Sequence, residues 1–125
     1  MANKILDTTL TLNAADPING VLTLNTITSK SVTYNDDGVV TQSISAVTAA
    51  EGTQLINKSV AKVTYVYIKN TDAANFVTLE NDDTEDWGQL GAGEWAFFPV
   101  APSVGLQVKG NTAAVIVDVA LFQAP

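Results

Sequence analysis

Apolar and polar residues alternate one by one along much of this 125-residue chain, and no stretch of useful length has the spacing of an amphipathic helix. A period of two puts successive side chains on opposite faces of an extended backbone, so the pattern admits strands and little else. In residues 4–12, Leu6, Thr8, Leu10 and Leu12 fall on one face, and Ile5, Asp7, Thr9 and Thr11 on the other. Val and Thr, 15 of each, supply the β-branched residues that suit a pleated surface.

Turn formers divide the pattern. Asp16-Pro17-Ile18-Asn19-Gly20 reads as a turn, because Pro fixes φ on entry and Asn-Gly tolerates positive φ. The pattern resumes at 21–24. Residues 29–34 and 39–47 flank Asn35-Asp36-Asp37-Gly38, which predicts a hairpin. The stretch 48–58 is less regular and has room for a helical turn at most, with Gly52 against it.

Val63-Thr64-Tyr65-Val66-Tyr67-Ile68 is apolar on both faces and reads as a central, doubly covered strand. A loop at 70–75, a strand at 76–80, a turn at 81–85 and a return at 86–90 follow. Gly91-Ala92-Gly93 is a tight turn before a strand at 94–100, and Pro99 and Pro102 imply that this strand ends at a sheet edge or leaves the sheet. Residues 104–109 and 113–122, either side of Gly110-Asn111, predict a final hairpin. Nine or ten short strands at this spacing make one all-β domain over 1–125, a sandwich or barrel without parallel βαβ units. With 46% hydrophobic and 15% charged residues, the chain has the material for a core.

Missing residue types restrict the chemistry. The sequence holds no His, Cys or Arg. It therefore offers no imidazole base, no thiolate, no His/Cys metal site and no guanidinium clamp. No catalytic residue, cofactor or metal is expected, and the chain reads as a non-enzyme. Zero Cys also means that disulfides do not hold the fold. The net charge of −7 argues against nucleic acid and against anionic membrane surfaces. Residues 1–62 hold 4 Lys and 5 acids, while 63–125 hold 2 Lys and 8 acids, so the negative field belongs to the second half. The longest apolar run, 113–117, is far short of the roughly 20 residues that span a bilayer. The first ten residues lack the pattern of a signal peptide, and the expectation is a protein made and used without that export route.

Three groups of side chains invite a functional reading. Glu80, Asp82, Asp83, Glu85 and Asp86 put five acids in seven positions, either a calcium-binding loop or a solvated tip that discourages edge pairing. The loop lacks the Gly and distal Glu of an EF-hand. Trp87 and Trp95 straddle the Gly91-Ala92-Gly93 turn and would face each other on adjacent strands, as core or subunit interface or as a platform for sugar rings. Glu94 with the acidic loop is the one carboxylate pair to consider for glycoside cleavage, but these acids lie mostly on turns. Asp118, alone among apolar neighbours, is expected to face solvent or meet Lys109 across the final hairpin.

The order Tyr65-Val66-Tyr67-Ile68-Lys69-Asn70-Thr71-Asp72, Phe76-Val77-Thr78-Leu79 and Leu90-Gly91-Ala92-Gly93-Glu94-Trp95-Ala96-Phe97-Phe98-Pro99-Val100, completed by 104–109 and 117–122, resembles a known group. It is similar to small virion structural proteins of tailed bacteriophages, notably β-sandwich capsid cement (decoration) proteins. The likeness covers 60–125, about half the chain, and Ala92 stands where the family turn often has Pro. The same module also occurs in tail and head-fibre proteins.

The resemblance implies a jelly-roll-like antiparallel β-sandwich on the outside of an icosahedral head, bound to the major capsid protein, often as a homotrimer. Its location would be the virion surface, after synthesis in the host cytoplasm. Leu6, Leu10, Leu12, Trp87, Trp95, Phe97 and Phe98 are the candidate interface residues. A carbohydrate- or receptor-binding module and a tail or head-fibre component are the other readings.

Overall fold

The computed structural model describes residues 3–14, 24–35, 39–48 and 51–125. Among these residues the chain forms ten strands and no helix. They are β1 (Asn3–Ala14), β2 (Leu24–Asn35), β3 (Val39–Ala46), β4 (Thr53–Ile56), β5 (Thr64–Asn70), β6 (Val77–Glu80), β7 (Asp86–Leu90), β8 (Trp95–Val100), β9 (Leu106–Gly110) and β10 (Val115–Gln123). Eight of them build an antiparallel β-sandwich. One sheet has the order β3-β10-β5-β8, the other β4-β9-β6-β7, and β1 pairs with β2 alone.

Alternation decides what the sheets bury. In β5, Val66 and Ile68 are fully buried while Tyr65, Tyr67 and Lys69 face outward and are half-buried. In β10, Val115, Val117 and Val119 point inward, and Ile116, Asp118, Ala120 and Phe122 outward. The opposite sheet contributes Ile56, Val77, Leu79, Leu90, Leu106 and Val108, and one apolar cluster joins both inner faces. At ~25 cal/mol per Å² of apolar area removed from water, this cluster is the main stabilising element of the domain.

Several expected strands form where the pattern put them, but their partners differ. Residues 29–34 and 39–47 are not a hairpin: β2 pairs with β1 over twelve residue pairs, and β3 pairs with β10. The Asn35–Gly38 loop and the Asp16–Gly20 turn lie largely or wholly outside the described residues. The final hairpin is also absent, since β9 pairs with β4 and β6 while β10 pairs with β3 and β5. Gly110 carries the chain across instead: its N–H donates to Val47 O, and an added Cβ would lie 2.4 Å from Ala113 O. Where a helical turn had room, β4 forms, held by Thr53 Oγ1 donating to Ser45 O. Pro99 lies in β8, the edge strand beside β5, so of the two expected placements the edge is the one observed among the described residues.

Candidate interaction surface

The β1–β2 ribbon keeps the predicted parity. Leu6, Thr8, Leu10 and Leu12 share a face with the cross-strand partners Val32, Lys30 and Thr28. Thr8 Oγ1 donates to Lys30 O at 2.7 Å, Thr9 and Ser29 hydroxyls meet at 3.1 Å, and Ser31 Oγ donates to Asp7 at 2.5 Å. These bonds hold the ribbon together. They do not tie it to the sandwich.

That role falls to aromatic rings. At the root of the ribbon, Tyr34 meets Phe122 of β10 edge-on, with centroids 5.2 Å apart. Phe122 stands on the outer face of the β3-β10-β5-β8 sheet, in register with Tyr65, and Tyr65 stacks on Phe97 of β8 at 6.3 Å. An aromatic surface thus crosses the outer face of that sheet.

Toward the ribbon tip the two surfaces separate. Thr8, Leu10, Leu12, Thr28 and Lys30 on one side, and Trp95, Ala96 and Phe97 on the other, line a cleft of about 600 Å³. Leu6 and Val32 are half-buried, whereas Leu10 and Leu12 remain 42% and 41% exposed and Trp95 54%. On the far face of the ribbon, Ile5 and Ile27 are 67% and 69% exposed. Isolated exposed apolar residues are ordinary, but a contiguous apolar surface marks a contact site.

Of the candidate residues, Leu10, Leu12, Trp95 and Phe97 therefore come together, with Leu6 nearer the root. Trp87 and Phe98 do not join them. The two tryptophans do not face each other on adjacent strands, because Gly91-Ala92-Gly93 passes the chain from one sheet to the other. Trp87 packs edge-on against Phe98 at 5.1 Å, beside a separate pocket of about 320 Å³ bordered by Val104 and Gly105. The alternation pattern gave no reason to single out Tyr34, Phe122 or Lys30. For Phe122 the available signal was its parity with Ile116 and Ala120 on an outward face that Asp118 alone makes polar.

The acidic tip is engaged by the protein itself. Asp82 accepts from Lys58 N at 2.7 Å, Gln54 Nε2 at 2.6 Å and Gln107 Nε2 at 2.8 Å, tying the tip to β4 and β9. The Lys58 amide above all, helped by the two glutamines, holds its carboxyl below the usual carboxylate range. Asp83 pairs with Lys58 Nζ at 2.6 Å, a bond that raises the lysine. Asn81 accepts from the amides of Asp83 and Glu85. Among the described residues no three acids converge as metal ligands. Glu94 closes its turn by accepting from Gly91 N. Asp118 does not meet Lys109; it accepts from Ser43 Oγ at 2.7 Å and lies in register with Lys69.

Glu80 departs most from its expected setting. It is 1% exposed, with Oε2 3.6 Å from Lys109 Nζ and Oε1 buried without a hydrogen-bond partner. Its neighbour in register, Gln107, also buries an unpartnered Oε1. Burial first, then the neighbouring Asp86 carboxyl in register with it, raises its pKa against the pull of Lys109.

No family model, curated protein or solved structure matches this chain.

Proposed function

We propose that the chain is a non-enzymatic structural protein of a tailed bacteriophage virion, a capsid decoration protein that binds the outer surface of the icosahedral head. In this reading it bridges major capsid subunits, as a homotrimer, and stabilises the shell by mass action, because it binds the assembled state and not the separated subunits. The observation that carries the reading is the ribbon, with exposed apolar residues on both faces and its root seated on the sandwich through Tyr34 and Phe122. A two-stranded ribbon by itself is marginal in water, so one of this length is suited to lie against another surface.

Further support comes from the sandwich. Its strand orders, β3-β10-β5-β8 against β4-β9-β6-β7, fit a jelly-roll-like arrangement of two Greek keys. The composition, without His, Cys or Arg, suits a protein that works by contact.

The test is direct. Purified protein mixed with expanded, empty phage heads should co-sediment with them, raise their melting temperature and appear as added density on the head surface by cryo-electron microscopy. An Ile5→Ser/Ile27→Ser variant should bind more weakly while its sandwich stays folded. Absence of head binding, or density at the tail alone, would overturn the assignment.

A further inference from the structure

We propose that the β1–β2 ribbon docks in trans, closing its Leu10–Leu12 face on the Trp95–Phe97 surface of a second copy of this chain. Within one chain these surfaces face each other without closing. The cleft of about 600 Å³ between them is open and wide enough to hold water, so the apolar walls stay wet. The Tyr34–Phe122 contact holds the root at ring-to-ring distance, and exposure grows from Leu6 toward Leu10 and Leu12. A ribbon free of that geometry can lie flat on the same surface of a neighbour and make the contacts its own chain leaves open. Exchange of an identical element between copies needs no new complementary surface.

Area and charge favour a second copy as occupant. Beyond its seated root the ribbon offers seven residue pairs, Thr8↔Lys30 to Ala14↔Leu24, which at ~3.4 Å per residue, on strands ~5 Å apart, give a face of roughly 24 by 10 Å, on the order of 240 Å². A copy that gives one ribbon and receives another buries about 500 Å², and two such copies together about 1,000 Å², the low end for a specific interface. Strands β1 and β2 hold Lys4 and Lys30 against Asp7, whereas residues 63–125 hold 2 Lys against 8 acids. The ribbon strands thus approach another copy's acidic half without net repulsion, and Lys30 lines the cleft.

Purified protein, without capsids, should show concentration-dependent self-association by analytical ultracentrifugation. A Leu10→Ser/Leu12→Ser variant should weaken it by at least about tenfold, with an unchanged sandwich by circular dichroism. Because the chain has no native Cys, single variants Leu10→Cys and Phe97→Cys can be mixed and mildly oxidised, and a mixed disulfide dimer is expected. A monomer at every concentration, or cross-linking confined to one chain in a Leu10→Cys/Phe97→Cys double variant, would overturn the proposal. So would a ribbon that engages capsid protein but never a second copy. Self-association without head binding would leave this inference standing and remove the capsid assignment.

Discussion

Deleting the same three carbons at two positions separates the sandwich from the ribbon as the seat of stability. Leu106 is fully buried where the two sheets meet, whereas Leu12 on the ribbon is 41% exposed. Leu106→Ala removes about 2.4 kcal/mol of transfer free energy at ~0.8 kcal/mol per buried carbon. The cavity left among rigid neighbours raises the loss to about 3–4 kcal/mol. Leu12→Ala removes a side chain already in contact with water and leaves no closed cavity, so about 1 kcal/mol is expected. Urea unfolding, at protein concentrations low enough to suppress association, reads both as shifts in midpoint with the slope unchanged. Equal losses, or a Leu106→Ala loss below about 1.5 kcal/mol, would refute the argument that the two inner faces form one close-packed core.

Three further outcomes follow from local geometry. Gly105 sits at φ 78° with an added Cβ 2.4 Å from the Asp82 Cβ and 2.8 Å from Ile56 O, while Gly93 at φ 75° has open space. Gly93→Ala should therefore cost about 1 kcal/mol of backbone strain, and Gly105→Ala clearly more, in the same urea assay. Asp82 has a lowered pKa, so its stabilising contribution is present above the unfolded value near 3.8 and lost as pH falls through the folded value. Asp82→Asn should be less stable than the parent at neutral pH and converge with it in acid; parallel pH curves would contradict this. Glu80 has a raised pKa, so its contribution is complete below the unfolded value near 4.5 and is lost as pH rises through the folded value. Glu80→Gln should therefore gain on the parent as pH rises across that range, measured as the difference in thermal midpoints.

Period-two patterning exposed which residues are strands and which face each strand buries. Leu6 to Leu12 take the predicted parity, whereas residues 63–68, read as covered on both faces, bury only the face of Val66 and Ile68 and leave Tyr65 and Tyr67 half-buried. It could not reveal partners. Alternation specifies a face, and a strand with one buried face fits beside any neighbour of the same kind. The loop at Asn35–Gly38 and the turn at Gly110-Asn111 carry the local chemistry of hairpins, but β3 and β10 each pair with strands far along the sequence. The surface was legible to the extent that it lies on one strand: Leu10, Leu12, Trp95 and Phe97 stood out as large apolar residues. Their meeting depends on where the ribbon leaves the body, a long-range contact of Tyr34 with Phe122 that no local pattern announces. Glu80 was hidden for a related reason, since its burial comes from Lys109, Gln107 and Asp86 on neighbouring strands.

Among the eight sandwich strands, β6 to β7 is the one connection that stays within a sheet; the others carry the chain across. The strand that joins β3 to β5 is β10, which comes after both in the chain. During synthesis β3 and β5 emerge with the slot between them vacant, their edges open until Val115–Gln123 arrives. Such non-local closure is slow, because loop entropy must be spent before the contacts that reward it can form. The ribbon, by contrast, can zip locally as soon as β2 is made. A growing chain of this kind is at its most aggregation-prone just before β10 emerges, when the strands it seals already exist and their edges are still open.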